Sequence, residues 1–288
     1  MLHFAPLHPL FGVEVHGVDL TRPLDGAVFT AVKHALDRHS LLVFRGQPVD
    51  DAAQLDFARR FGRLEKTRVG AVGEGGELVV LTNLDVEGGV LPASDHQLFH
   101  ARANQLWHSD ASFRRIPAYA SVLSGRHVAE HGGATEFVST RLAYRELESS
   151  LQAQIAGRMA VHHFAHSRSQ VEPGRLTEAE DRDLPPVRHP LVRRHSVTGE
   201  PALFIGSHVR EIVGMSREEG RALLDALLAH ATRDECVHTH RWRPHDLIVW
   251  DNSAVLHRGR SWSEREPRHL VRATVADDAY REGALAAA

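Results

Sequence analysis

The sequence predicts a fold that combines helices with β-sheet, of the α/β or the α+β class, and three observations support this. The chain has 288 residues, 42% of them hydrophobic, which is enough to bury a full core. A capping-box pattern from Ser216 to Glu219 precedes an apolar stripe typical of a helix. Apolar runs typical of strands dominate residues 236–276. Since no repeat or low-complexity linker divides the chain, we expect one domain over residues 1–288.

The N-terminal part alternates strand and helix signals. Residues 11–15 read as a strand, and residues 25–37 read as a helix because apolar side chains recur at helical spacing. Asp50 is placed to cap a short helix over residues 52–61, which Gly62 would end.

The pattern loosens between residues 64 and 102, where glycines are frequent and a single apolar strand is predicted at residues 78–81. A long irregular connection inside a compact domain is often functional. We therefore expect an active-site lid within residues 64–102, and Lys66 or Arg68 could hold an acidic substrate there. Further along, two short helices are predicted at residues 141–147 and 150–156.

The most informative motif is Trp107-His108-Ser109-Asp110, the only His-x-Asp or His-x-Glu triplet in a chain with 22 histidines. In an extended segment, His108 and Asp110 project to the same side. Together with a distant second His they would form a 2-His-1-carboxylate triad, which leaves one face of an octahedral Fe(II) open. His257 is the best candidate for that second His, because it follows the apolar pair Val255-Leu256 at a predicted strand end.

The residues alone leave other interpretations open. His257 could be a histidine whose hydrogen bonds are satisfied in the core, as is common in a His-rich chain. His238 and His240 alternate in the same way and could supply two imidazoles to a zinc ion.

Several separate motifs, in order, resemble one enzyme family. They are residues 42–47, 57–62, 104–113, 132–137, 203–206, 250–252 and 257–259, together with Arg268 and Arg272. On these motifs the chain resembles the taurine dioxygenase family of Fe(II)/2-oxoglutarate enzymes, and within it the 2,4-dichlorophenoxyacetate dioxygenase branch. The resemblance implies an α+β fold with a double-stranded β-helix core, of the jelly-roll or cupin type, and flanking helices.

The resemblance also implies roles for individual residues. His108, Asp110 and His257 would bind Fe(II). Thr135 would donate a hydroxyl hydrogen bond to 2-oxoglutarate, Arg272 would pair with the far carboxylate of 2-oxoglutarate, and Arg268 would meet the acidic group of the prime substrate. From the residues alone, Thr135 also reads as a turn residue, Arg272 as half of a buried ion pair, and Arg268 as a solvated charge.

Two further assignments are less specific. Asp251 could orient an imidazole or simply form the turn that precedes His257. His195 and His163 are candidates for the wall of a substrate cavity.

The implied activity is hydroxylation of a small carboxylic acid with 2-oxoglutarate, O₂, Fe(II) and ascorbate as supporting reductant. A phenoxyacetate such as 2,4-dichlorophenoxyacetate would yield a phenol and glyoxylate, with succinate and CO₂. Taurine or another alkylsulfonate is the alternative substrate class. A zinc hydrolase and a non-catalytic cupin-like binder are hypotheses from other classes, and the two arginines argue against the binder.

Composition excludes several other partners. The net charge of −3 gives no general attraction for nucleic acid or anionic membranes. A single cysteine, Cys236, rules out an intramolecular disulfide and is typical of a reducing compartment. No N-terminal targeting pattern and no apolar run long enough to span a membrane is present in the sequence. We expect a cytoplasmic protein with a small anionic substrate, and its assembly into a homo-oligomer is left open.

Overall fold

A computed structural model describes residues 1–67, 71–92 and 94–280. Its strands are β1 His3–Pro6, β2 Val13–His16, β3 Leu41–Phe44, β4 Leu78–Thr82, β5 Ala118–His127, β6 Thr135–Ser139, β7 Met159–His162, β8 Val187–Pro190, β9 Val192–Arg194, β10 Pro201–Leu203, β11 Val209–Ile212, β12 His238–His240, β13 Leu247–Asp251, β14 Val255–Gly259 and β15 His269–Ala276. Its helices are α1 Gly26–His39, α2 Asp51–Arg59, α3 His96–Ala103, α4 Thr140–Arg145, α5 Ser149–Ile155, α6 Phe164–Ser169, α7 Glu178–Asp183 and α8 Arg217–Ala231, with a 3₁₀ turn at Asp234–Cys236.

The largest sheet of the described residues has seven strands in the order β1-β2-β3-β13-β5-β15-β4. Its neighbours are antiparallel except for β2 and β3, which run parallel. The central strands β3 and β13 are buried along their whole length, as apolar runs covered on both faces should be.

One face of this sheet is covered by α1 and α2. Phe29 and Val32 of α1 and Phe57 of α2 pack in one apolar core with Val249 and Ala273 of the sheet. This core contains no side chain of the predicted metal motif. Its packing stabilises the large sheet from the helix side.

The other face packs against a second sheet, of order β12-β6-β14. Leu123, Ile248 and Trp250 of the large sheet meet Phe137 and Val255 of the small one in a second apolar core. A cavity opens at this interface, and both sheets contribute side chains to its wall. The two sheets therefore determine which residues can meet in the cavity.

The chain crosses from one sheet to the other between β13 and β14. These two strands are separated by a short turn, and they pair with different sheets. Pairing of β14 with β6 places His257 opposite Phe137 and carries it to the cavity.

Most helix signals in the sequence correspond to helices. The Asp50 carboxylate accepts a hydrogen bond from the Ala53 amide at the start of α2, and Ser216 and Glu219 form a reciprocal capping box on α8. The predicted strand at residues 11–15 is shifted to Val13–His16. None of the described helices is long and apolar enough to cross a membrane.

The predicted lid region is more regular than its sequence suggests. It contains β4, which pairs with β15 at the sheet edge, and the helix α3, which is not predicted from the sequence pattern. Lys66 lines the cavity, whereas Arg68 lies outside the described residues.

Candidate metal and cosubstrate site

The two candidate histidine ligands are joined by their backbones. His108 and His257 form an antiparallel bridge, in which each amide donates to the carbonyl of the other at 3.0 and 2.9 Å. The bridge brings the imidazole rings to a centroid distance of 4.2 Å. Gly206 packs against this bridge, and a Cβ there would lie 2.9 Å from the Trp107 carbonyl oxygen, so the close approach requires glycine.

Asp110 completes the cluster. Its carboxylate oxygens lie 3.8 Å from Nε2 of His108 and 3.7 Å from Nε2 of His257. One ligand atom from each residue lies within 4.8 Å of the others, and all three residues are buried. The structure thus brings together the three residues predicted as iron ligands.

A network of side chains holds Asp110. The Ser121 hydroxyl donates to Oδ2 of Asp110 at 2.7 Å and accepts from the Asn252 amide group at 2.9 Å. The Asn252 side-chain oxygen in turn accepts from the backbone amide of Asp110 at 3.1 Å. Ser109 is turned away and donates to the Asn252 carbonyl. Asn252 therefore links the turn before β14 to the His-x-Asp segment.

The donor set fits a divalent transition metal. Nδ1 of His108 donates to the Leu106 carbonyl at 2.7 Å, which leaves the Nε2 lone pair for a ligand bond. Nδ1 of His257 is buried and has no hydrogen-bond partner among the described residues. Two imidazoles and one carboxylate form the facial set that suits Fe(II).

Protonation states also suit metal binding. Burial lowers the pKa of His108, and it lowers the pKa of His257 well below its ordinary value. Burial alone would raise the pKa of Asp110, but other groups, with the charge of Arg272 as the largest effect, lower it to about 2. The ligands are therefore neutral imidazoles and an ionised carboxylate at neutral pH, the forms that bind metals.

Arg268 lies buried in the cavity wall. Its guanidinium donates to the Gly133 carbonyl at 3.3 Å and stacks 4.7 Å from the Trp262 ring centroid. Burial lowers its pKa to about 10, so it remains charged. Among the described residues, no carboxylate pairs with it. The solvated position considered from the sequence is therefore wrong for Arg268, because its side chain is buried against Gly133 and Trp262.

Thr135 lies two residues from Gly133, at the start of β6 in the same cavity wall. Its hydroxyl oxygen accepts a hydrogen bond from the indole N–H of Trp242 at 3.0 Å, which leaves the hydroxyl proton available to donate. Thr135 and Arg268 thus both line the cavity, and the Arg268 guanidinium contacts Gly133, two residues before Thr135.

Arg272 lies at the other end, beside the metal cluster. Its Nη1 donates to Oδ1 of Asp110 at 2.5 Å. This is the buried ion pair with an acid that the residues alone left open for Arg272. Arg268, Leu270, Arg272 and Thr274 all line the cavity, whereas Ala273 faces the helix-covered core, as alternation along a strand requires.

The described residues of the cavity wall are mostly basic where they are charged. Six basic side chains stand against three acidic ones: Lys66, Arg114, Arg168, Arg260, Arg268 and Arg272 against Glu65, Glu77 and Asp110. The cavity therefore favours anionic ligands.

Glu65 is the unusual acid of this wall. It lies 3.3 Å from Arg114, yet burial raises its pKa to about 7, an effect that Arg114 opposes and the charge of Asp110 reinforces. The cavity thus holds two carboxyl groups, of Asp110 and Glu65, whose pKa values are shifted in opposite directions.

Other histidine assignments differ from expectation. Nε2 of His195 lies 2.6 Å from Asp251, and His163 pairs with Asp181; neither histidine belongs to the described cavity wall. Asp251 also accepts from the amide and hydroxyl of Ser253, so it both shapes the turn and contacts an imidazole, although that imidazole is not His257. His240 pairs with Asp246, and no metal cluster of the described residues includes it.

Ser121, Trp242 and the connecting role of Asn252 could not be predicted from the sequence. Asn252 belongs to a motif noted in the sequence, but its partner Ser121 lies in a ten-residue strand without any local signal. Only the pairing of β5 with β13, which sets Ser121 opposite Trp250, reveals the contact.

Comparison with known proteins agrees with this geometry. The family model described as "Taurine catabolism dioxygenase TauD, TfdA family" matches residues 3–274. The alpha-ketoglutarate-dependent 2,4-dichlorophenoxyacetate dioxygenase of Cupriavidus pinatubonensis is 41% identical over 95% of this chain and 97% of its own length. The (S)-phenoxypropionate/alpha-ketoglutarate-dioxygenase of Delftia acidovorans is 34% identical over 98% of each chain.

A solved structure extends the likeness to three dimensions. The crystal structure of AAD-2 in complex with Mn(II) and N-oxalylglycine superposes with a TM-score of 0.89 at 38% identity, over 95% of this chain and 98% of AAD-2. Since the family model covers nearly the whole chain and full-length relatives exceed 30% identity, the chain belongs to the taurine catabolism dioxygenase TauD, TfdA family.

Proposed function

We propose that this protein is an Fe(II)- and 2-oxoglutarate-dependent dioxygenase that hydroxylates a small anionic acid, with a phenoxyacetate such as 2,4-dichlorophenoxyacetate as the first candidate. The observation that carries the proposal is the convergence of His108, Asp110 and His257 in a basic cavity. The relative at 41% identity is named for 2,4-dichlorophenoxyacetate and for alpha-ketoglutarate, which is 2-oxoglutarate.

We assign the far carboxylate of 2-oxoglutarate to Arg268 and Thr135. A buried guanidinium without a carboxylate partner among the described residues requires an anion, and a planar fork binds a carboxylate in a defined orientation. Thr135, beside it, has a hydroxyl proton to donate. The sequence-based assignment gave this role to Arg272, and the contacts favour exchanging the two arginines.

Arg272 would then meet the acidic group of the prime substrate. It lies next to the metal cluster and already binds a carboxylate there, that of Asp110. A substrate acid held by Arg272 would present its neighbouring carbon to the metal. Arg114 and Lys66, on the same wall, would add to the attraction for an anion.

When bound, the iron together with 2-oxoglutarate and O₂ supplies the oxidation that converts a substrate C–H to C–OH and 2-oxoglutarate to succinate and CO₂. The chain's own residues contribute binding and orientation. Arg268 and Thr135 bind 2-oxoglutarate, and Arg272 binds the acidic group of the prime substrate. Ser121 and Asn252 keep the Asp110 carboxylate in place. For a phenoxyacetate, hydroxylation next to the ether oxygen gives a hemiacetal, which breaks down to a phenol and glyoxylate.

An alkylsulfonate such as taurine is the second candidate, because the family description includes taurine catabolism and a sulfonate would also pair with Arg272. We further propose a double-stranded β-helix core, supported by the two facing sheets, and a single domain that includes a lid between residues 64 and 102. The lone Cys236 supports a cytoplasmic setting.

The experiment is oxygen uptake by purified protein with Fe(II), ascorbate and 2-oxoglutarate, with succinate and phenol quantified. The three arms contain 2,4-dichlorophenoxyacetate, taurine or no substrate. We expect uptake stimulated by the phenoxy acid, with one phenol released per succinate. Stimulation by taurine alone would indicate an alkylsulfonate substrate instead of a phenoxyacetate. Turnover without 2-oxoglutarate would contradict the proposal.

A further inference from the structure

A second cluster of two histidines and a carboxylate shares no residue with the candidate iron ligands. It consists of His96 and His100 on α3 and Glu180 on α7. Nε2 of His96 lies 3.2 Å from Oε2 of Glu180, and Nε2 of His100 lies 3.0 Å from Oε1. One ligand atom from each residue lies within 4.8 Å of the others, as in the first cluster.

Local structure explains why the three side chains converge. His96 and His100 are four residues apart on one helix, which places both imidazoles on the same face. Asp95 fixes the start of that helix by accepting from the Gln97 amide. Glu180 is 2% exposed, and its carboxylate also accepts from the backbone amide and the hydroxyl of Thr177, in the capping box of α7.

We propose that His96, His100 and Glu180 form a second metal site, for a divalent transition-metal ion of the zinc type. Two imidazole nitrogens and one carboxylate oxygen are ligands that zinc accepts, with water as the fourth ligand. Ligand atoms around a tetrahedral zinc lie roughly 3.3 Å apart, given zinc–nitrogen bonds of about 2.0–2.1 Å. The separations of 3.0 and 3.2 Å between each imidazole nitrogen and the carboxylate are close to this value.

The ion would connect two elements at the wall of the cavity. His100 and its neighbour Gln97 line the cavity, whereas Glu180 belongs to α7. A metal bond to both helices would fix α3, which lies within the predicted lid, against α7. This site shares no residue with the candidate iron site, so it stands or falls independently of the proposed oxidation.

The experiment counts zinc by equilibrium dialysis and elemental analysis. We expect two zinc ions per wild-type chain, one in His257→Ala, one in His96→Ala, and none in the double variant. His163→Ala is the matched control, because it removes a histidine that pairs with a single acid on α7; it should retain both ions. Loss of zinc in that control to the same extent as in His96→Ala would overturn the assignment.

Misfolding of His96→Ala would also abolish zinc binding, so a second substitution and a measurement of amide hydrogen exchange separate the two causes. Glu180→Gln keeps the side-chain shape and an acceptor for Thr177, and we expect it to weaken zinc binding at this site by about tenfold or more. In His257→Ala, zinc should slow amide hydrogen exchange in residues 96–103, whereas Ca²⁺, which prefers oxygen ligands, should not. Unchanged zinc binding in folded Glu180→Gln, or equal protection by Ca²⁺, would contradict the proposal.

Discussion

The two His-His-carboxylate clusters have the same donors but different support. In the first, the side chains of His108, Asp110 and His257 are only 5–6% exposed, and backbone pairing joins the two histidines. In the second, the side chain of His96 is 34% exposed and that of His100 is 12% exposed, and both belong to one short helix. The same set of donor groups is therefore rigid and desolvated in the first cluster and partly hydrated in the second.

This difference indicates different tasks. Backbone bridges and the Ser121–Asn252 network fix the first cluster in a cavity that also holds Arg268 and Arg272, so ligands can be positioned around a metal there. The second cluster joins two helices and faces solvent on one side. We expect reaction chemistry from the first cluster and stabilisation of α3 from the second.

Removing one histidine from each cluster tests this comparison and has the largest expected effect. His257→Ala should reduce 2-oxoglutarate turnover by more than the roughly 10- to 100-fold typical of groups around metal ligands, because a ligand itself is lost. His96→Ala should stay within about twofold of wild type, since His96 touches no residue of the first cluster. Comparable losses in both variants, measured as succinate formed, would refute the distinction.

Replacing the two arginines separately sharpens the account of the first cluster. Truncating one partner of a buried charge pair costs about 2–5 kcal/mol, which is a factor of roughly 30 or more. Arg268→Ala should therefore raise the Kd for 2-oxoglutarate, and Arg272→Ala should raise the KM for the acidic substrate. The opposite pattern in isothermal titration and steady-state kinetics would restore the assignment made from sequence.

Glu65 provides a contrast to Asp110 within the same cavity. Its pKa is raised from 4.5 to about 7 in the folded protein, so the folded state binds more protons than the unfolded state between these values. Stability should accordingly fall as pH rises from about 4.5 to about 7, by about 3 kcal/mol. Urea unfolding in the presence of a chelator should show this decline in wild type and a flatter profile in Glu65→Gln. Glu77→Gln is the control, because Glu77 is a more exposed residue of the same wall, and it should show the same decline as wild type. A decline in Glu65→Gln as large as that in wild type would contradict the prediction.

Ser121→Ala tests the support of Asp110 and has the smallest expected effect. It removes the hydrogen bond to Oδ2 and leaves the Asn252 amide without its acceptor, so metal affinity should fall by about tenfold. Ser124→Ala is the matched control on the same strand, because that hydroxyl binds Gln54 instead. A similar loss of metal affinity in both variants would mean that only general stability had changed.

Local signals predicted part of this structure well. The caps at Asp50 and Ser216 could be predicted because each depends only on residues within one helical turn. The helix α3 has only a weak helical pattern in the sequence. Its buried residues, Leu98, Phe99 and Ala103, form a narrow apolar face among histidines and a glutamine.

What depends on strand partners could not be predicted in the same way. No local sequence pattern indicates that β13 and β14 belong to different sheets, or that the Ser121 hydroxyl binds Asp110. The proposed roles of the two arginines rest on contacts that no local pattern gives, those of Arg268 with Gly133 and of Arg272 with Asp110. The His-x-Asp motif led to the cluster of His108, Asp110 and His257 that the structure brings together, whereas the proposed exchange of the two arginines rests on contacts between sheets.

The most direct test of the central claim is a crystal structure of this protein with Mn(II) and N-oxalylglycine, a combination that AAD-2 accepts. Anomalous scattering would locate the manganese. We predict that it lies between His108, Asp110 and His257, and that the far carboxylate of N-oxalylglycine is bound by Arg268 beside Thr135. Manganese found only between His96, His100 and Glu180, or the far carboxylate bound by Arg272, would contradict this account.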